Sequence, residues 1–151
     1  MKEFKSIDDI LDFAIQSEQQ AVEFYTELAN NASNNEMIEV FTQFAKEEMG
    51  HKAKLMQIKK EGSFEIKENK VIDLKIADYL VDVEVTPNIS YEDALVVAMK
   101  REKSAFKLYT NLAAKAPNET LKNTFLSLAQ EESKHKLRFE IEYDDYVLRE
   151  N

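Results

Sequence analysis

The sequence contains no cysteine. That absence excludes disulfides, zinc fingers, thiol nucleophiles and cysteine-ligated iron centres together. Glycine and proline occur twice each in 151 residues, so long uninterrupted elements are expected rather than many turns. Long hydrophobic runs are missing too. The longest, Ala94 to Met99, falls far short of the ~20 apolar residues that cross a bilayer. The first residues, MKEFKSIDDILDF, place acids where a secretion signal needs an apolar stretch, and a cytoplasmic location is expected. Positive charge is scarce: 20 Lys and Arg face 29 Asp and Glu, for a net charge of −9. With no basic stripe to offset it, that balance argues against nucleic acid and anionic membranes as partners. The remainder, 44% hydrophobic and 32% charged, suits one soluble domain over residues 1–151 with a single core.

What the chain does contain is a repeat of itself, offset by 84 residues. Glu18-Gln-Gln-Ala-Val-Glu-Phe-Tyr-Thr-Glu-Leu-Ala29 aligns with Glu102-Lys-Ser-Ala-Phe-Lys-Leu-Tyr-Thr-Asn-Leu-Ala113, and Phe41 to Lys52 aligns with Phe125 to Lys136 without a gap. Each half, about 6–61 and 90–147, therefore carries two elements. Helix signals frame them. Ser6 with Asp9 and Ser90 with Asp93 read as caps, Ser33 with Glu36 as a capping box, Gly62 as a stop and Pro117 as a start. The expected helices span about 7–31, 35–61, 91–115 and 118–147. Short loops inside each half make antiparallel hairpins. The linker at about 62–89 has strand-like residues early and a short helix near Leu74–Leu80. It is long enough to run the roughly 37 Å of a 25-residue helix at 1.5 Å per residue. The fold class is all-α: a four-helix bundle of two hairpin repeats joined by a long crossover.

Each helix carries an apolar stripe with alternating spacings of four and three. The stripes are Ile7, Leu11, Ala14, Glu18, Ala21, Tyr25, Leu28; Met37, Phe41, Phe44, Glu48, His51, Leu55, Ile58; Tyr91, Leu95, Ala98, Glu102, Ala105, Tyr109, Leu112; and Leu121, Phe125, Leu128, Glu132, His135, Phe139. Every stripe is broken near its middle by Glu, or by Glu and His. Buried unpaired carboxylates cost several kcal/mol each, and neighbouring ones push one another towards protonation. Two divalent cations would balance four such charges. In Glu48-x-x-His51 and Glu132-x-x-His135 the side chains share a helix face. One carboxylate from each remaining helix, Glu18 and Glu102, completes six candidate ligands.

A solitary Glu-x-x-His is usually a solvated surface pair; these two stand among Phe44, Leu55, Phe125 and Phe139. Glu47 and Glu131 point about 100° away around their helices, towards solvent or behind the ligands. Tyr25 and Tyr109 lie two turns beyond Glu18 and Glu102. They either fill the core or donate to the ligand carboxylates, the second being favoured because a buried phenol needs an acceptor.

These segments resemble the rubrerythrin branch of the ferritin-like superfamily, along nearly the whole chain apart from the linker. The resemblance implies that Glu18, Glu48, His51, Glu102, Glu132 and His135 bind two iron ions, with manganese or zinc as substitutes. It implies hydrogen bonds from Tyr25 and Tyr109 to ligand carboxylates. It implies reduction of hydrogen peroxide or dioxygen at the ferrous pair, and homodimers, sometimes with exchanged helices. The four-cysteine domain that supplies electrons in full-length rubrerythrins is missing, so an external electron donor protein is expected. Met99 and Ala105 stand where those proteins carry a seventh carboxylate, which leaves the six-ligand pattern seen also in bacterioferritin-like centres. The alternatives are a ferritin-like ferroxidase that handles iron, and an interaction module that uses metal only for stability.

Overall fold

The computed structural model describes residues 2–4, 6–32, 34–61, 72–74 and 89–150. Four helices make its core: α1 (Ile7–Asn30), α2 (Asn35–Glu61), α3 (Tyr91–Ala114) and α4 (Glu119–Glu150). A small ribbon accompanies them, in which β1 (Lys2–Phe4) pairs antiparallel with β2 (Ile72–Leu74), Glu3 opposite Asp73. The class is all-α, as the stripes require.

The helix starts follow the repeat. The Ser6 hydroxyl accepts from the Asp9 N–H and that of Ser90 from the Asp93 N–H, both at 3.1 Å. Ser33 lies outside the described residues, and Asn34 caps α2 by accepting from the Met37 N–H at 2.7 Å. Its repeat equivalent Asn118 does the same for Leu121 at 2.8 Å, so α4 opens two residues beyond Pro117. It also runs to Glu150 rather than 147. Gly62 and residues 75–80 lie outside the described residues. Leu74, expected at the start of a short helix, closes β2 instead, because its backbone pairs with Lys2.

Two apolar clusters fill the bundle. One joins Leu11 and Ala14 of α1, Leu55 of α2, Leu112 of α3 and Phe125 and Leu128 of α4. The other joins Tyr25 and Leu28 of α1, Met37, Phe41 and Phe44 of α2, Leu95 and Ala98 of α3 and Phe139 of α4. The start of α1 therefore lies with the end of α2, the end of α3 and the start of α4. So α1 and α4 run one way, and α2 and α3 the other. The end of α2 and the start of α3 therefore lie at opposite ends of the bundle, the arrangement of a bundle with a long crossover connection. Burial of each large apolar side chain stabilises the fold by about 1.5–3 kcal/mol. Between the two clusters lies a polar layer.

Candidate metal centre

Repeat and periodicity together bring six ionisable side chains into that layer. Glu18, Glu48, Glu102, Glu132 and His135 are each no more than 2% exposed and His51 is 9% exposed. They are contributed by all four helices of one chain.

Both imidazoles turn Nδ1 inward. His51 Nδ1 lies 2.8 Å from Glu132 Oε1, 3.6 Å from Glu48 Oε2 and 3.7 Å from Glu18 Oε2. His135 Nδ1 lies 3.0 Å from Glu48 Oε1 and 3.6 Å from Glu102 Oε1. The two rings are nearly parallel, with centroids 5.7 Å apart. Outward, His135 Nε2 is 3.5 Å from Glu47 Oε2 and His51 Nε2 is 4.0 Å from Glu131 Oε2. Each of these glutamates thus backs the histidine of the opposite half. Residue spacing alone left their role open, because it reports only one helix at a time.

The tyrosines tie the halves together in the same crossed manner. Tyr25 donates to Glu102 at 2.5 Å, and Tyr109 donates to Glu18. Burial, followed by the neighbouring carboxylates, pushes both phenols well above their ordinary range. They therefore stay protonated and act as donors.

Without cations the layer must redistribute protons. Burial and then the nearby Glu48 charge push Glu18 well up; burial and then Glu102 do the same to Glu132. Burial works against ionised Glu48, but hydrogen bonds from Glu18, His135 and His51 outweigh it and hold its carboxyl low. Burial also opposes charging of the histidines. Their carboxylate partners prevail, raising His51 to about 10 and His135 to about 9.

That redistribution leaves the layer incompletely paired. Glu18 Oε2, Glu102 Oε2, Glu132 Oε1, His51 Nδ1 and His135 Nε2 are buried with no hydrogen-bond partner. The close approach of His51 Nδ1 to Glu132 Oε1 lacks hydrogen-bond alignment, which marks atoms converging on a common point rather than on one another. Buried polar atoms left unsatisfied cost about 1–3 kcal/mol each, and cations would remove that cost. The donor atoms fall into two groups, each within 4.8 Å: Glu18, Glu48, His51, Glu132 and Glu48, Glu102, Glu132, His135. Glu48 and Glu132 belong to both groups, the placement of bridging carboxylates. Carboxylate and imidazole without thiolate suit iron or manganese better than copper or structural zinc. The residues present fit a two-metal centre.

An open cleft between α1 and α3 reaches this layer, lined by Ser17, Glu18, Ala21, Glu102 and Ala105. Arg101 flanks it, with its guanidinium 4.8 Å from the Phe24 ring centroid. On the α2–α4 side, Phe44 meets the His135 ring edge-to-face at 4.8 Å and Phe139 packs on Phe44 at 4.1 Å.

Fold and layer together define a ferritin-like helical bundle with a buried carboxylate–histidine site. Residues 9–85 and 93–151 match the rubrerythrin family, and the chain belongs to that family. In shape it is similar to the solved structure of a hypothetical protein from Pyrococcus furiosus, with a TM-score of 0.70 and 27% sequence identity over 92% of this chain and 89% of that one. No protein with a curated function matches the sequence. Among the described residues, no helix is long and apolar enough to cross a membrane.

Proposed function

We propose that the chain is a non-haem di-iron oxidoreductase that reduces hydrogen peroxide, or dioxygen, with electrons from an external donor protein. One observation carries the reading: six buried carboxylate and imidazole side chains from four helices converge, and polar atoms of five of them are left without a hydrogen-bond partner. Glu18 and His51 would hold one iron, Glu102 and His135 the other, with Glu48 and Glu132 shared. Manganese or zinc could occupy the same donors. Neither hairpin holds a full group alone, so residues 1–151 are taken as one functional domain.

A bound ferrous pair supplies the two electrons that convert one peroxide and two protons to two waters. The residues of the chain do the rest. The carboxylates balance the change in metal charge. Tyr25 and Tyr109 hold Glu102 and Glu18 in place, and the α1–α3 cleft admits a small oxidant. Family membership also supports a homodimer. The outer face of α4, with Leu126, Leu137, Ile141 and Leu148 exposed, offers apolar surface for a second copy to cover.

The test is metal content after purification without added metal, followed by anaerobic mixing of the ferrous protein with peroxide or dioxygen. Two irons per chain, and a diferric absorption band that peroxide generates faster than dioxygen and a reductant bleaches, support the reading. Many irons per chain in a large cage would replace it with iron storage. A metal-loaded protein with no redox response would replace it with a purely structural site.

A further inference from the structure

Each histidine of the buried layer has an outer nitrogen, and the two are surrounded differently. His135 Nε2 is buried without a hydrogen-bond partner, and so is Glu47 Oε2 of α2, 3.5 Å away. An imidazole nitrogen and a carboxylate oxygen, both unpaired, thus face each other between α2 and α4. Arg138 closes this side. It lies three residues beyond His135 on α4, a spacing that shares a helix face. Its guanidinium is 3.6 Å from Glu47 Oε2 and 4.8 Å from the centroid of the Phe44 ring. Phe44 in turn meets the His135 ring edge-to-face. One guanidinium therefore touches both of these groups on the outer side of His135.

His51 has a different setting. The repeat places Lys54 where Arg138 stands and Leu128 where Phe44 stands, and Lys54 is exposed. Glu131, the counterpart of Glu47, lies 4.0 Å from His51 Nε2 with its side chain 49% exposed, against 32% for that of Glu47. His51 is also the more exposed of the two histidines. The duplicated scaffold accepts a lysine and a leucine here, so arginine and phenylalanine add something particular to His135. A guanidinium can lay its flat face on an aromatic ring while its edge meets a carboxylate, which an ammonium cannot do.

We propose that Arg138 is a positioning residue for the metal centre: it holds Glu47 and Phe44 against His135, so that Nδ1 of that ring stays aimed at the donor group it forms with Glu102. This rests on the two-metal part of the reading above and not on its redox part. A histidine that gives Nδ1 to a metal keeps its proton on Nε2, and a carboxylate behind that N–H fixes the ring and strengthens the ligating nitrogen. Glu47 stands in that place, and Arg138 keeps it there. The two metal positions are consequently unequal. The one built on Glu102 and His135 releases its ion slowly, and the one built on Glu18 and His51 releases its ion faster.

The experiment loads the full chain with cobalt(II), a paramagnetic probe that moves the N–H signals of bound imidazoles clear of the other proton resonances. The variants are Arg138→Gln and, as a control at the equivalent place in the other hairpin, Lys54→Gln. Release of cobalt to excess chelator is expected in two phases of equal amplitude in the parent. Arg138→Gln should speed the slower phase about 10-fold, the lower end of the effect of losing support behind a ligand. It should also hasten solvent exchange of the more protected imidazole N–H. Lys54→Gln should match the parent in both respects. Urea unfolding of metal-free Arg138→Gln should keep the parent's midpoint, because an exposed ion pair adds little to folding. A lowered midpoint with unchanged release and exchange would reduce Arg138 to support of the fold and overturn the proposal. A single release phase from a parent holding two ions would overturn it as well. A parent that binds fewer than two cobalt ions is recognised by its stoichiometry before release is followed, and rejects the two-metal centre together with the proposal.

Discussion

Tyr109 of α3 hydrogen-bonds to Glu18 of α1, 91 residues earlier in the chain, and both residues are buried. With the reciprocal bond from Tyr25 to Glu102, it links the two hairpins through the polar layer itself. Tyr109→Phe keeps the ring packed on Phe125 and removes only the donor. The expected cost is about 1–3 kcal/mol, from leaving a buried carboxylate oxygen unpaired. Urea unfolding of metal-free protein measures it; an unchanged midpoint would show that the phenol merely fills space.

Shared and unshared ligands should behave differently. Glu48 belongs to both donor groups and Glu18 to one. Glu48→Gln is therefore expected to abolish binding of both ions, and Glu18→Gln to weaken one. Elemental analysis of protein dialysed against ferrous iron separates these outcomes. Two ions bound per chain of Glu48→Gln would refute the bridging role. In the parent chain, free metal at 100 times its dissociation constant should add about 2.7 kcal/mol of stability.

Metal-free protein should lose stability as pH rises. His51 and His135 are raised from 6.5 to about 10 and about 9. Their contribution is complete below pH 6.5, where both states are protonated, and is lost as pH climbs through the folded values. Glu18 and Glu132, raised from 4.5, act in the same direction because the unfolded chain releases their protons first. Melting temperature recorded between pH 5 and pH 10 should fall without metal. With metal bound, those protons are already displaced and the slope should flatten, so affinity itself should rise with pH. A metal-free melting temperature that climbs towards pH 9 would contradict the proton assignment.

Phe139 fills the space among Tyr25, Phe41 and Phe44 and is fully buried. Phe139→Ala is expected to cost about 3–5 kcal/mol, by chemical denaturation. It should also loosen His135, against which Phe44 rests.

Much of this architecture was legible because it is periodic. Stripes of period three and four locate residues on a helix face, and the repeat supplies Glu18 and Glu102, neither of which has a local motif. The caps at Ser6 and Ser90 depend on residues three apart and were readable too. Asn34 and Asn118 occupy the same repeat position, a signal that could have revealed them as caps ahead of Ser33 and Pro117. Other features depend on pairs remote in sequence. The β1–β2 ribbon joins segments about seventy residues apart, and Glu142 meets Tyr91 across two helices. The inward turn of each imidazole, and the opposition of Glu47 to His135, depend on rotamers that periodicity does not carry.

The division of the ligands between two hairpins also sets an order of events during synthesis. The chain is made from its N-terminus, and α1 and α2 are complete while α4 does not yet exist. At that stage Glu18, Glu48 and His51 form half of a polar layer facing nothing, and water rather than protein must solvate them. Each donor group draws on Glu132, so neither can be completed until the final helix docks. Metal uptake at the proposed centre would thereby be deferred to the end of folding, and a truncated product would be released without metal.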